Sequence, residues 1–179
     1  MLPIILIAVA VIVALFVIIV ATRPSDFRYT RAARISAPAE VVFAHVNDFH
    51  KWEAWSPWAK MDPNCKNTFS GPDSGVGATF AWAGNNKVGE GRMTVLEARP
   101  SELIRIKLEF FKPFKATNTA EFTFKPEGGQ TQVTWSMFGK CNFMSKAVGL
   151  FMNCEKMVGG QFEQGLANLN SASQSTVSR

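Results

Sequence analysis

Apolar residues recur at every second position through most of the segment between residues 77 and 139. Successive side chains of a β-strand point to opposite faces of a sheet, so this spacing predicts strands with one apolar and one polar face. The turn sequences NNK, KPF and PEGG separate the runs, which favours hairpins and antiparallel pairing. We therefore predict an antiparallel sheet that is covered on one side only. The predicted inward-facing residues are Phe80, Trp82, Met93, Val95, Ile104, Ile106, Leu108, Phe110, Ala120, Phe122, Phe124, Val133, Trp135 and Met137.

The last long segment, residues 142–169, is predicted to cover that sheet as one amphipathic helix. Its apolar residues recur at spacings of three and four, which is the period of one helix face. Gly159 and Gly160 each cost about 1 kcal/mol relative to alanine inside a helix, so they indicate a bend or a close approach to the sheet. The predicted apolar row is Val148, Phe151, Met152, Val158, Phe162, Leu166 and Leu169.

Two short helices are predicted between an opening strand at residues 27–36 and the sheet, which makes the order strand, two helices, about six strands and one long helix. The second short helix contains the stretch HKWEAWSPW, and Pro57 must end it because proline lacks an amide hydrogen. This stretch places Trp52, Trp55 and Trp58 three residues apart. We expect these rings to pack the junction between helices and sheet, with a cavity wall or a membrane-interface contact as the alternatives.

Residues 2–21 form an apolar run without a charged side chain. At 1.5 Å per residue, a helix of this length covers about 30 Å, the thickness of the hydrocarbon core of a bilayer. We predict an uncleaved transmembrane helix; a cleaved signal peptide is the alternative, although no lysine or arginine precedes the run. Four arginines and one aspartate follow within residues 23–34, so the positive-inside rule places the remaining domain on the cytoplasmic side of the membrane.

The net charge of +5 does not indicate a nucleic-acid partner. The four arginines and one aspartate within residues 23–34 contribute +3 of this charge, which leaves +2 for the rest of the chain. A stacking platform for bases also needs a basic groove around its aromatic rings. The tryptophan stretch offers only Lys51 and Lys60, so we expect no binding of nucleic acid.

The cysteines and histidines do not form a recognisable reactive or metal-binding pattern. Cys65, Cys141 and Cys154 lie at irregular spacings that fit neither a disulfide framework nor a CxxC pair, so we expect reduced, structural thiols. His45 and His50 are five residues apart, and no tetrahedral ligand spacing accompanies them. The chain also lacks the nucleophile motif G-x-S-x-G. We therefore expect no metal and no cofactor.

The part of the chain after the apolar run is long enough for one domain. Residues 22–26 form a short proline-containing linker, which keeps the domain close to the membrane. Residues 27–170 form the predicted domain, and the small polar residues 171–179 are predicted to be a disordered tail.

The order of these elements and four stretches of sequence resemble the START-like superfamily, also called SRPBCC or the polyketide cyclase/dehydrase and lipid-transport group. The stretches are ISAPAEVVFAHVNDFHKWEAWSPW, FSGPDSGVGATFAWAGNNKVGEGRMTVLEARPSELIRIKLEF, TQVTWSMFG and KMVGGQFEQGLANL, and the resemblance covers residues 27–170. It implies an α+β helix-grip fold, in which a curved antiparallel sheet wraps around a long C-terminal helix. In relatives, a hollow between the two accepts lipids, sterols, polyketides or other apolar molecules.

Two polar residues are the candidates for chemistry inside such a hollow. Asn118 falls on the inward face of its strand, and Glu155 falls in the apolar row of the last helix, between Phe151 and Phe162. A shielded carboxylate can act as a general acid or base, or orient a ligand hydroxyl. The alternative is that Glu155 lies near the mouth of the hollow or pairs with a basic side chain. The predicted ligand-binding residues are Phe80, Trp82, Met93, Ile106, Leu108, Phe110, Asn118, Phe122, Trp135, Met137, Phe151 and Glu155.

The leading hypothesis is a membrane-anchored module that binds a hydrophobic small molecule, such as a lipid, an isoprenoid or a polyketide-like compound. The enzyme hypothesis is a cyclase-like or dehydratase-like reaction on such a ligand, in which Glu155 moves a proton. A third hypothesis is a structural or interaction protein whose hollow is filled by its own side chains.

Overall fold

The structure, a computed structural model, describes residues 2–177. It confirms the α+β helix-grip fold, with a seven-stranded antiparallel sheet and a long C-terminal helix. The elements in chain order are α1 (Leu2–Thr22), β1 (Asp26–Ile35), α2 (Ala39–Asn47), a 3₁₀ helix (Phe49–Ala54), β2 (Lys66–Ser70), β3 (Thr79–Ala83), β4 (Glu90–Arg99), β5 (Leu103–Lys112), β6 (Ala116–Glu127), β7 (Gln130–Lys140), α3 (Phe143–Val148) and α4 (Cys154–Val177).

The strands lie in the order β1-β7-β6-β5-β4-β3-β2, and every neighbouring pair is antiparallel. Register shifts in β4, between Glu90 and Gly91 and between Val95 and Glu97, are bulges of the kind that bend a strand in a curved sheet. The sequence did not predict β2. All five residues of β2 are exposed, so this strand has no alternating pattern to recognise.

The C-terminal segment forms two helices, and the prediction of one helix over residues 142–169 is wrong. α3 ends at Val148, and a turn precedes the start of α4 at Cys154. Because the turn breaks the helical phase, the predicted apolar row does not continue through it: Phe151 is 81% exposed and Met152 is 49% exposed. Beyond the turn the predicted row is correct, with Phe162, Leu166 and Leu169 buried.

α4 continues to Val177, past the predicted end of the domain at Asn170. Ser173 is fully buried, and Thr176 Oγ1 lies 3.0 Å from Nε2 of His45 on α2. Residues 171–177, which the sequence predicts as part of a disordered tail, are therefore the packed last turns of this helix. Residues 178 and 179 of the predicted tail lie outside the described residues.

Two glycines of α4 lie in direct contact with neighbouring residues. This agrees with the close approach of helix to sheet that was predicted from Gly159. A Cβ atom at Gly165 would lie 2.7 Å from the ring of Trp135 and 3.1 Å from Cδ of Pro57. A Cβ atom at Gly159 would collide with the guanidinium of Arg31. The absence of a side chain at Gly165 therefore allows the helix to lie this close to the sheet, and its absence at Gly159 leaves room for the guanidinium of Arg31.

The tryptophans of the 50–60 stretch fill the junction between α2, the sheet and α4, which confirms the packing prediction. Trp55 is fully buried, Trp52 is 6% exposed and Trp58 is half-buried. Trp52 Nε1 donates a hydrogen bond to the Val46 carbonyl at 2.9 Å, and Trp55 Nε1 donates one to the His45 carbonyl at 3.1 Å. These bonds satisfy both indole N–H groups and fix the 3₁₀ helix against the end of α2.

The N-terminal helix α1 has 21 residues and a mean hydropathy of 3.6, which makes it long and apolar enough to cross a membrane. A signal sequence would have the same properties. Its C-terminal part packs against the α3 segment: Val20 is fully buried, and Arg23 Nη1 donates a hydrogen bond to the Gly149 carbonyl at 3.5 Å. The ring centroids of Phe16 and Phe151 lie 6.5 Å apart.

Candidate functional site

Beneath α4, the interior between sheet and helix is filled by aromatic rings. Trp135 stacks on Phe162 of α4, with ring centroids 4.1 Å apart, and on Phe122 of β6 at 4.8 Å. Four of the predicted ligand-binding residues are therefore core residues, because rings from the 3₁₀ helix and α4 occupy the space that the sequence assigned to a hollow. They are Met93, Ile106, Phe122 and Trp135.

The concave face of the sheet is uncovered toward the start of β1. Inward-facing side chains are half-buried there, although the same strands are fully buried further along. Half-buried apolar side chains on a concave surface are the usual lining of a binding site for an apolar molecule. We call this region the open end; it consists of Tyr29, Phe80, Trp82, Leu108, Phe110, Asn118 and Met137.

Asn118 is the buried polar group of the open end. It pairs with Leu108 on β5 and with Gly139 on β7, and the missing side chain of Gly139 leaves room for its amide. Asn118 is only 9% exposed, and among the described residues its Oδ1 atom has no hydrogen-bond partner. Such an unpaired buried acceptor costs about 1–3 kcal/mol. The oxygen is enclosed against the backbone of Gly139, so a donor group of a ligand reaches it only if the side-chain amide turns toward the open end.

Tyr29 is a polar residue of the open end that the site prediction omitted. It lies opposite Met137 on β7 and is half-buried on the inward face of β1. Burial raises the pKa of its hydroxyl, and the nearby Cys154, Cys141 and Glu155 raise it further. The phenol is therefore neutral at physiological pH and can donate a hydrogen bond. The alternation in residues 27–36 already places Tyr29 on this face, whereas the predicted site residues all lie between residues 77 and 155.

Glu155 does not lie in an apolar row. It is in the first turn of α4, its side chain is 56% exposed, and its Oε1 lies 2.8 Å from Nη2 of Arg31. Arg31 Nε also donates a hydrogen bond to Glu163 Oε1 at 2.6 Å. This position agrees with the alternative prediction from the sequence, in which Glu155 pairs with a basic side chain. Glu155 has the same helical phase as Phe162, but it lies in the first turn of α4, where the helix end is exposed and Arg31 is within reach of its carboxylate.

Two glutamates of the sheet, Glu109 and Glu121, lie on its polar face. Glu121 accepts a hydrogen bond from Arg105 Nη2 at 2.8 Å, and Glu109 accepts one from Arg92 Nη2 at 2.9 Å. Hydrogen bonds from Lys107 and Arg92 hold the pKa of Glu109 below its usual range. The polar groups of the open end, Asn118 and Tyr29, are thus suited to orient a ligand.

A separate groove of about 850 Å³ lies on the other side of α4, against α2 and the 3₁₀ helix. Its lining includes the polar side chains of Glu53, Lys60, Gln164 and Asn168, which do not match an apolar ligand. His45 also lies there, and burial lowers the pKa of its imidazole.

The other histidine is paired, and two of the cysteines, Cys141 and Cys154, lie near Tyr29 of the open end. Nδ1 of His50 is 3.0 Å from Oδ1 of Asp48. Cys65, Cys141 and Cys154 are free thiols. Burial raises the pKa of both Cys65 and Cys141, which disfavours the reactive thiolate.

Comparison with solved structures shows the same fold in other proteins, and no curated protein sequence matches the chain. The Zhui aromatase/cyclase from Streptomyces sp. R1128 is 12% identical with a TM-score of 0.61, over 85% of this chain and 96% of that one. The di-domain ARO/CYC StfQ of the steffimycin biosynthetic pathway is 9% identical with a TM-score of 0.61, over 87% of this chain and 53% of that one. Protein MLL2253 from Mesorhizobium loti is 17% identical with a TM-score of 0.61, over 84% of this chain and 98% of that one.

The family model described as polyketide cyclase / dehydrase and lipid transport matches residues 26–174. This range begins at the first residue of β1 and ends near the end of α4, so it includes the whole sheet and the helix that the sheet grips. The chain therefore belongs to the polyketide cyclase/dehydrase and lipid transport family.

Proposed function

We propose that this protein is a membrane-anchored binding module that holds a hydrophobic small molecule, such as a lipid, an isoprenoid or a polyketide-like compound, at the open end. The observation that supports this most is the unpaired Oδ1 of Asn118 within an otherwise apolar concave surface. Covering the half-buried apolar side chains contributes about 25 cal/mol for each Å² removed from water. Asn118 and Tyr29 then fix the orientation of the polar group of the ligand.

The ligand site is tested by photocrosslinking in the full-length protein. A diazirine-bearing fatty acid is expected to label peptides from β5 and β6 that surround Leu108 and Asn118. Leu108→Trp fills the open end and is expected to reduce this labelling several-fold. The matched control is Leu96→Trp, since Leu96 is 51% exposed at the bulge of β4 and is not one of the residues of the open end. Labelling that is unchanged by Leu108→Trp, or that is concentrated in the groove behind α4, contradicts the proposed site.

Membrane anchoring by α1 is the second part of the proposal. Asp26, the first residue of β1, follows Thr22, the last residue of α1, by only four positions in the sequence. The domain therefore lies against the membrane surface. The arginines that follow α1 favour the cytoplasmic side. A C-terminal green fluorescent protein fusion is then fluorescent and a C-terminal alkaline phosphatase fusion is inactive. The reverse pattern, or an intact mass that lacks residues 2–21, contradicts this part.

A cyclase-like or dehydratase-like reaction on the same ligand is the second candidate function. The likeness in fold to an aromatase/cyclase favours it. Its proposed acid or base, Glu155, is half-exposed and paired with Arg31, so it would have to leave that ion pair to reach a ligand. Glu155→Gln is expected to leave ligand retention unchanged. Loss of product formation in Glu155→Gln, with retention intact, would favour the enzyme over the binding module.

A further inference from the structure

The open end lies at the end of the domain that adjoins α1. β1 begins at Asp26, directly after the linker from α1, and its second residue, Phe27, pairs with Gly139. Gly139 pairs in turn with Asn118 on β6. The row that contains the unpaired amide of Asn118 is therefore only one residue away from the start of the sheet at α1.

Large apolar side chains are exposed on two segments at this same end. The first is α3 with the turn that follows it, where Phe151 is 81% exposed. The second is the end of β5 with the β5–β6 connection, where Phe114 is 56% exposed. Clusters of exposed apolar side chains are typical of interaction sites. We call these two segments the rim; its exposed apolar residues are Phe111, Phe114, Phe143, Met144, Phe151 and Met152.

The contact between α1 and the rim determines how deep the rim lies in the membrane. The rings of Phe16 and Phe151 are 6.5 Å apart. Phe16 precedes Thr22 by six residues, which is about 9 Å along a helix axis. If α1 crosses the bilayer up to Thr22, a side chain that touches Phe16 lies below the membrane surface. The exposed ring of Phe151 then contacts lipid and not water, which removes the free-energy cost of exposing a phenylalanine to water.

Lysines surround the apolar residues of the rim. Lys112 is the last residue of β5, and Lys115 lies in the β5–β6 connection. Lys140 is the last residue of β7, and Lys146 lies within α3. Lys112 pairs with Glu90 at 2.6 Å. Within residues 2–177, no carboxylate lies at ion-pair distance from the other three. An apolar wedge flanked by unpaired lysines matches a bilayer surface that carries anionic lipid headgroups.

We propose that the rim inserts into the headgroup region of an anionic bilayer beside α1, so that the open end faces the lipid leaflet. This inference rests on the proposed function, because it requires α1 to span the membrane. It extends that function because it names the rim as the membrane-contacting surface and an anionic bilayer as the partner. A ligand that is itself a membrane component then reaches Asn118 from the leaflet without crossing bulk water.

The test uses site-directed spin labels in the full-length protein, in nanodiscs of phosphatidylcholine with phosphatidylglycerol. Single cysteines are introduced into a variant in which Cys65, Cys141 and Cys154 are serine. Phe151→Cys and Phe114→Cys report on the rim, Phe16→Cys reports on α1, and Leu96→Cys, at the exposed bulge of β4, is the control outside the rim. Accessibility to oxygen, which concentrates in lipid, is compared with accessibility to a water-soluble nickel chelate.

Labels at the positions of Phe16, Phe151 and Phe114 are expected to be accessible to oxygen and protected from nickel, and the label at Leu96 to show the opposite. A lipid-exposed label at Phe16 together with water-exposed labels at Phe151 and Phe114 overturns the inference and leaves the anchor standing. A water-exposed label at Phe16 overturns the anchor, and the inference with it.

The preference for anionic lipid is tested by reversing one charge. Lys115→Glu is expected to shift the label at Phe114 toward water in discs with phosphatidylglycerol, and to have no effect in discs of phosphatidylcholine alone. The control is Lys125→Glu at the far end of β6, which is expected to change neither. Equal behaviour of the two lysine variants overturns the assignment of an anionic surface.

Discussion

The ring of Phe162 on α4 lies parallel to the indole of Trp135 on β7, with centroids 4.1 Å apart and an angle of 10° between the planes. Phe122 stacks on the other side of the same indole at 4.8 Å. The helix is thus held by a continuous stack of rings, without a gap for a ligand. The proposed ligand site therefore lies on the part of the concave face that this stack does not reach.

The close packing of α4 on this stack predicts opposite effects for two glycine substitutions. Gly165→Ala would place a methyl group 2.7 Å from the rigid ring of Trp135, and we expect it to destabilise the fold by about 1–3 kcal/mol. Gly160→Ala meets nothing within 4 Å and is expected to stabilise the fold by about 0.5–1 kcal/mol. Urea unfolding followed by circular dichroism measures both. Equal stabilisation by both variants would show that helix and sheet are loosely packed.

The ion pairs of Arg31 with Glu155 and Glu163 predict how the first turns of α4 are held. Arg31→Gln is expected to speed amide hydrogen exchange over the N-terminal turns of α4, because both carboxylates lose their charged partner. Lys156→Gln is the control, since Lys156 is exposed on the same helix. Unchanged exchange in Arg31→Gln means that the rings alone hold this end of the helix.

Because the amide oxygen of Asn118 is unpaired, we predict that its removal weakens ligand binding without destabilising the fold. Asn118→Leu keeps the branched shape but removes a buried acceptor that lacks a partner, so the free energy of unfolding is expected to be unchanged or higher by about 1–3 kcal/mol. Retention of the crosslinkable fatty acid is expected to fall in the same variant. A variant that loses stability while retaining the ligand would assign Asn118 a structural role only.

The raised pKa of Tyr29 predicts the pH range in which its hydrogen bond persists. Its neutral hydroxyl is the donor, and burial favours the neutral form. Ligand retention that depends on Tyr29 is therefore expected to be constant through neutral pH and to decrease only above the ordinary tyrosine range of about 10. Tyr29→Phe is expected to lower retention at neutral pH and to abolish this alkaline decrease. An alkaline decrease that persists in Tyr29→Phe belongs to another group.

The faces of the sheet could be predicted because alternation depends only on the two-residue period of a strand. Phe80, Leu108 and Met137 were placed on the correct face in this way. Sequence alternation could not predict which inward residues remain uncovered, because that depends on rings supplied by other elements, above all Trp55 and Phe162. The hollow between sheet and helix was an implication of the family resemblance, and these rings fill the part of it beneath α4.

The error at Phe151 has a different cause. Periodicity carried the helical phase through residues 149–153, where the chain forms a turn. Phe151 then appeared to belong to an inward row, whereas it contacts Phe16 of a helix more than a hundred residues earlier in the chain. A contact of this kind between distant segments leaves no local pattern in the sequence.

The most direct test of the binding proposal is native mass spectrometry of the full-length protein extracted from its membrane. The account predicts one apolar molecule bound per chain, released on collisional activation, retained by Leu96→Trp and lost from Leu108→Trp. A wild-type spectrum that contains only the mass of the bare chain, or equal occupancy in the two variants, would contradict it.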